Sequence, residues 1–381
     1  MNTRSIKIIF TIICIYFFNT LSSFAADNNL GLYTFQTLTD QMASMPIADM
    51  MIPKGFTASV TSHWDRLDGN YPGHEIISIE NSDKSVGIYI FTNESYSQFQ
   101  NKNTFGINIP QNEGPDYNRY ITLMNYKDSA TVIDTFMNKL SFSNKNLYKN
   151  LPIDNNIINI FRNEYIKAAQ ENLLKIQKIN MLRGNEIKIT LKDVNLDKVR
   201  KQYKLDNGYG EFSTSIKSVS MTMGNKMMET TAIAWEIQYF ILYKASSKEL
   251  FGKYYDTYRN VLANSYIRPE FYYINMKIRK MYNENLFKTD YHLPPISEIV
   301  ENEEVMNYYS NSTYNEAALL SDKVMKLWND CIYELQSYKT LDGRIIKSSM
   351  NKEKIAQKGD IFFIGRKNNL PKGFKVLSKV K

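Results

Sequence analysis

The chain has 381 residues, 43% hydrophobic and 23% charged, with 16 Gly, 10 Pro and 2 Cys. That composition excludes a collagen-like, mostly disordered or disulfide-dense protein and leaves a globular one, long enough for two or three units with a sizeable core. The formal net charge is +8, but only 11 of the 47 basic residues are Arg, the side chain whose planar fork grips phosphate and guanine edges, so nucleic acid is not an expected partner.

The first 25 residues read as an export signal. Arg4 and Lys7 precede an apolar stretch from Ile8 to Leu21, and Ser23-Phe24-Ala25 places small residues where a signal peptidase reads them. The apolar stretch is shorter than the roughly 20 residues that cross a bilayer, and no later stretch could span one. Thr11-Ile12-Ile13 lacks the small residue wanted before a lipidated cysteine at Cys14. Cleavage after Ala25 therefore predicts a periplasmic or extracellular protein whose one remaining cysteine, Cys331, can form no internal disulfide.

A polar segment follows, and Ile52-Pro53-Lys54-Gly55-Phe56 opens a β-rich region. Phe56, Ala58 and Val60 alternate with Thr57, Ser59 and Thr61, the period of a half-buried strand leading to Trp64. His74 to Glu80 and Ser85 to Thr92 predict a hairpin across Asn81-Ser82-Asp83-Lys84. Asn101 to Gly114 reads as a loop and Leu140 to Pro152 as a polar break. Ile157, Phe161, Tyr165, Ala168, Ile176 and Ile179 recur at helical spacing and predict a helix from Asn156 to about Leu182, stopped by Gly184.

Glu186 to Leu191 then predicts a strand, Asp193 to Tyr203 a short helix, and Asp206 to Gly210 a turn. Ile216 to Met223 and Met227 to Tyr243 predict a long hairpin, with Trp235, Ile237, Tyr239, Ile241 and Tyr243 on one face. Gly208-x-Gly210 lacks the third glycine of a dinucleotide fingerprint and reads as turn glycine. Ser246 to Glu249 fits a capping box, placing Phe251, Tyr254, Tyr258 and Val261 on a helix face, and Pro269 suits the start of another helix.

Asn283 to Ser310 is acidic and irregular with Pro294-Pro295, the best linker candidate. Thr313 to Glu316 would cap a helix whose stripe runs Ala317, Leu320, Val324, Trp328, Cys331, Leu335, a position that suits Cys331 as a small buried residue. Asp342-Gly343 turns the chain into a lysine-rich β segment containing Leu370-Pro371-Lys372-Gly373-Phe374, an echo of Pro53 to Phe56. The predicted division is 1–25 signal, 26–285 α+β sandwich, 286–310 linker and 311–381 terminal helix with a basic β segment.

The Pro-x-Gly-Phe opening, the Trp64 strand, the hairpin through Trp235, the Phe251 to Ser265 helix followed by Pro269, and the Trp328 helix before a closing Asp-Gly β segment resemble uncharacterised secreted bacterial proteins. Their main domain resembles the PsbP-like sandwich, named for an extrinsic protein of photosystem II. Over Pro53 to Glu284 the resemblance implies an α+β fold, an antiparallel sheet packed by helices, in an exported protein. It implies no catalytic residues.

One polar cluster has metal-like content: His63-Trp64-Asp65, Asp68 and His74-Glu75. His74-Glu75-Ile76-Ile77-Ser78 misses the zincin pattern at its last position and lies in a strand, so neither metal nor cofactor is expected there. The leading expectation is a secreted, non-catalytic binding or accessory protein whose partner is an envelope or extracellular protein or polymer. A hydrolase of an envelope polymer using His63, Asp65, His74 or Glu75 is the enzyme alternative. A third reading holds the protein on an anionic surface through Lys372, Lys375, Lys379 and Lys381.

Overall fold

The computed structural model describes residues 31–281 and 335–380, apart from 65–72, 103–107, 117–120, 183–187, 225–228, 350–353, 366–368 and some single or paired positions. The expected signal, the linker at 286–310, Trp328 and Cys331 lie outside the described residues.

In chain order the first strands are β1 (Leu32–Asp40), β2 (Met45–Pro53), β3 (Phe56–Trp64), β4 (Gly73–Asn81), β5 (Val86–Phe91), β6 (Glu94–Lys102), β7 (Asn108–Ile109), β8 (Gly114–Asp116) and β9 (Ile121–Leu123). Helix α1 (Ser129–Lys139), β10 (Lys145–Asn150) and helix α2 (Asn155–Leu182) follow. Three long strands, β11 (Lys188–Leu205), β12 (Gly208–Gly224) and β13 (Glu229–Ala245), lead to α3 (Lys248–Lys253), α4 (Tyr255–Asn264) and β14 (Tyr266–Ile267). The closing strands are β15 (Leu335–Lys339), β16 (Ile345–Ser349), β17 (Lys354–Lys358), β18 (Ile361–Gly365), β19 (Lys375–Val376) and β20 (Ser378–Lys379). The result is a sheet-rich α+β fold, antiparallel among the described residues apart from the β6–β9 pair.

The main sheet runs β10-β11-β12-β13-β5-β4-β3, with β6 to β9 attached beside β13. A second sheet runs β14-β2-β1-β18-β17-β19, so the first strands of the described chain pair with its last ones, Tyr33 opposite Phe362. Strands β16, β15 and β20 make a third, small sheet. One face of the main sheet carries Ile77, Ile79, Ile88 and Tyr243 into a core closed by Ile47, Met50 and Ile52 of β2 and by Phe251, Tyr258 and Val261 of α3 and α4. The other face packs Phe212, Phe240 and Leu242 against Val132, Ile133, Phe136 and Met137 of α1, with Phe136 stacked 4.1 Å from Phe240. Burying apolar area of this kind contributes roughly 25 cal/mol per Å² and is the main force holding the layers together.

Five expectations are corrected. Asp193 to Tyr203 is the middle of β11, not a helix: Val194, Leu196 and Lys198 are buried at every second position, and the stretch is paired along its length with β12. Pairing outside the local window overrides a pattern that reads as helical in isolation. Trp235 and Ile237 do not share a face with Tyr239, Ile241 and Tyr243. The partner of Ser215 is Tyr239 and that of Ile216 is Ile237, which leaves Gln238 as an extra residue. This bulge switches the alternation, so Trp235 and Ile237 join the α1 core while Tyr239, Ile241 and Tyr243 face α3 and α4. The cap of α3 is Ser247, one residue later than expected, its hydroxyl accepting from the Leu250 amide at 3.1 Å. The segment before Ile52 and the break at Leu140 to Pro152 hold strands β1, β2 and β10.

The turn expected at Asp206 to Gly210 is confined to Asp206 and Asn207, and Gly210 lies inside β12. Gly208 has φ +127°, and a Cβ there would lie 2.0 Å from the Ala245 carbonyl oxygen, so it opens β12 as a close-packed residue. Gly55 and Gly373 have φ +87° and +88° in the two Pro-Lys-Gly-Phe segments. The amide of Phe374 donates to the Pro371 carbonyl, as in a type II turn. The two segments thus share a glycine at positive φ in the same position.

Candidate functional site

Strands β3 and β4 position the residues singled out from sequence. Their register sets Ser62 opposite Glu75, His63 opposite His74 and Trp64 opposite Gly73. Because successive side chains on a strand point to opposite faces, His63 and His74 share the outer face, while Ser62, Trp64, Gly73 and Glu75 share the inner one. Burial follows that division: His63 is exposed and His74 half-buried, whereas Glu75 is 1% exposed. The structure thus brings the two histidines together and separates both from Glu75. Asp65 lies outside the described residues.

On the inner face Glu75 belongs to a sealed polar knot. Its Oε2 accepts from the Ser62 hydroxyl at 2.6 Å, and its amide donates to Thr92 Oγ1 at 2.8 Å. Its Oε1 receives no donor, and its neighbour is the buried carboxylate of Asp40. Asp40 itself accepts from Trp64 Nε1 at 2.6 Å and from the amides of Met42 and Ala43 at 2.7 and 3.1 Å. Burial, opposed by the Ser62 bond and reinforced by Asp40, pushes the Glu75 acid up to about 8. Glu75 is then a neutral acid at pH 7, able to donate to Asp40.

The knot is closed from the far side by Asn275, whose Oδ1 accepts from the Gly73 amide at 2.7 Å. A Cβ on Gly73 would meet the Trp64 ring at 2.8 Å and Asn275 at 3.2 Å, so only glycine fits between them. Sequence reasoning missed Asp40 and Asn275, which lie 24 residues from Trp64 and 202 from Gly73 along the chain. Local pattern carries no signal for either.

A second buried charge, Glu211, lies under α4. It takes two bonds from Arg200, at 2.7 and 3.2 Å, one from Gln202 at 2.9 Å and one each from Tyr255 and Tyr258 at 2.7 and 3.4 Å. Each carboxylate oxygen is satisfied, which makes this a structural ion pair sealed from solvent. Lys198, stacked over Phe161 beneath α2, has its ammonium held well below the usual lysine range by burial.

The outer surface of β3 is different. Thr57, Ser59, Thr61 and His63 are exposed in succession, and β3 ends the main sheet, paired with β4 alone among the described residues. None of the side chains in the α1 core belongs to β3 or β4. In the basic terminal segment Lys372, Lys375 and Lys379 are exposed, and Lys381 lies outside the described residues. Among the described residues no group of three or more His, Cys, Asp and Glu side chains is arranged to hold a metal, and no helix is long and apolar enough to cross a membrane.

No protein-family model matches the chain, and no curated protein matches it. Among solved structures, the solution structure of cyanobacterial PsbP (CyanoP) from Synechocystis sp. PCC 6803 is weakly similar. It shows 7% identity and a TM-score of 0.20, with 63% of this chain and 95% of that chain covered.

Proposed function

We propose that this is an exported, non-catalytic binding protein that captures an extended segment of an envelope or extracellular protein on its β3 edge. The observation that carries the reading is that β3 ends the main sheet and, among the described residues, pairs with β4 alone. Natural sheets blunt their free edges with Lys, Pro or other charge, because an open row of backbone N–H and C=O groups templates another strand. Strand β3, Phe-Thr-Ala-Ser-Val-Thr-Ser-His-Trp, is nine residues long and contains no Lys, Arg, Asp, Glu or Pro. The opposite edge, β10, is guarded by Lys145 and Lys149. A long unguarded edge suits strand addition, in which main-chain bonds give affinity and alternate side chains give specificity. The sealing of Glu75 and Glu211 supports a role without acid/base chemistry at either carboxyl.

Export rests on the first 25 residues, and the PsbP-like description of the sandwich rests on the sequence resemblance. Mass determination of the mature N-terminus should give Ala26. For binding, mature protein is incubated with envelope extract, and hydrogen exchange of the backbone amides is compared with the free state. Protection gained in β3 and not in β10 is expected. A Ser59→Lys/Thr61→Lys double variant, with an unchanged melting temperature, should capture less partner. Protection gained elsewhere, or undiminished capture by the variant, would overturn the reading.

A further inference from the structure

The register of β3 and β4 places His63 directly opposite His74, at the end of the edge strand next to Trp64. Directly opposed residues of an antiparallel pair have Cβ atoms about 4.5–5.5 Å apart. Both imidazoles stand on the outer face, which the α1 core leaves uncovered, with His63 exposed and His74 half-buried. A tetrahedral ion holding two imidazole nitrogens at about 2.0–2.1 Å needs them about 3.3 Å apart. Rotation of two opposed histidine side chains spans that separation, and imidazole suits zinc, copper and nickel ions where Mg²⁺ and Ca²⁺ want oxygen ligands.

We propose that His63 and His74 form a cross-strand chelate for a divalent transition-metal ion of the zinc, copper or nickel class. Among the described residues no third His, Cys, Asp or Glu completes the set, so the other coordination positions are left to water. The ion would tie β3, paired among the described residues with one strand, to β4 at its Trp64 end. This site does not depend on strand addition: metal binding by the free protein tests it without any partner.

The test uses the whole mature chain, freed of metal with EDTA and dialysed, then titrated with ZnCl₂ or NiCl₂ in a calorimeter and followed by thermal melts. One equivalent should bind, and the melting temperature should rise by a few degrees with either ion but not with MgCl₂ or CaCl₂. His63→Ala and His74→Ala should each abolish both effects. Because His63 is exposed, that variant should keep the metal-free melting temperature. His292→Ala, at the chain's third histidine, should leave binding intact. No heat and no stabilisation, binding that survives His63→Ala, or binding lost in His292→Ala would each overturn the proposal.

Discussion

Trp64 and Asp40 are joined by a 2.6 Å bond from the indole Nε1 to Oδ2, which fastens the end of β1 to the end of β3 across the inner face. Trp64 is 9% exposed and packs edge-on to Phe271, with ring centroids 6.1 Å apart, so its shape and its donor are both used. Trp64→Phe keeps most of the apolar area and removes the donor, leaving Oδ2 of a fully buried carboxylate short of a partner. The expected cost is about 1–3 kcal/mol, read as a fall of several degrees in the melting temperature. An unchanged melting temperature would show that the bond contributes little.

Glu75 makes stability depend on pH. Its acid is pushed to about 8 in the folded chain against an ordinary value of 4.5, so the folded state holds a proton that the unfolded state releases. The contribution is fully present below about pH 4.5 and is lost as pH rises through about 8, on the order of 3–5 kcal/mol over that window. Glu75→Gln mimics the neutral acid at every pH. Melts run in EDTA from pH 5 to pH 8.5 should show the wild type losing ground steadily to the variant. Parallel profiles would mean that Glu75 does not carry the extra proton.

Arg200 and Glu211 are a buried pair, with side chains 7% and 0% exposed and a 2.7 Å contact. Arg200→Ala would leave Glu211 with Gln202 and the α4 tyrosines as donors and no countercharge. A loss of about 3–5 kcal/mol is expected, against little change for the Arg162–Asp193 pair, whose side chains are 40% and 54% exposed. Denaturant melts of Arg200→Ala and Arg162→Ala compare the two. Similar losses would contradict the burial argument.

Trp235 is 2% exposed, lies 4.5 Å from the Tyr96 ring and donates from Nε1 to the Met124 carbonyl at 3.1 Å. It is a core residue of the α1 face. Trp235→Ala should cost about 3–5 kcal/mol, a large share of a typical stability of about 5–15 kcal/mol. A shift under a degree or so in the melting temperature would remove it from the core.

The local elements were legible where the signal is local. The Phe56–Trp64 alternation, the α2 helix, and the glycines of the two Pro-Lys-Gly-Phe segments follow from side-chain period and from the residue that takes a positive φ most readily. The chain itself also supplied His63, His74 and Glu75 as candidates. What it could not supply was their division between two faces of a sheet, which needs the β3–β4 register, or the partners Asp40 and Asn275, which arrive from distant elements. The bulge at Gln238 was equally hidden. Alternation through Tyr243 looks unbroken in sequence, yet β13 pairs with β6 through Ile237 and with β5 from Phe240, and the extra residue falls between them. Gln238 is held there by Ser215 and Tyr165, bonds that exist only once β12 and α2 are in place. Period fixes which residues alternate along a strand; only pairing and packing across the sheet decide which face each half of the strand turns to the core.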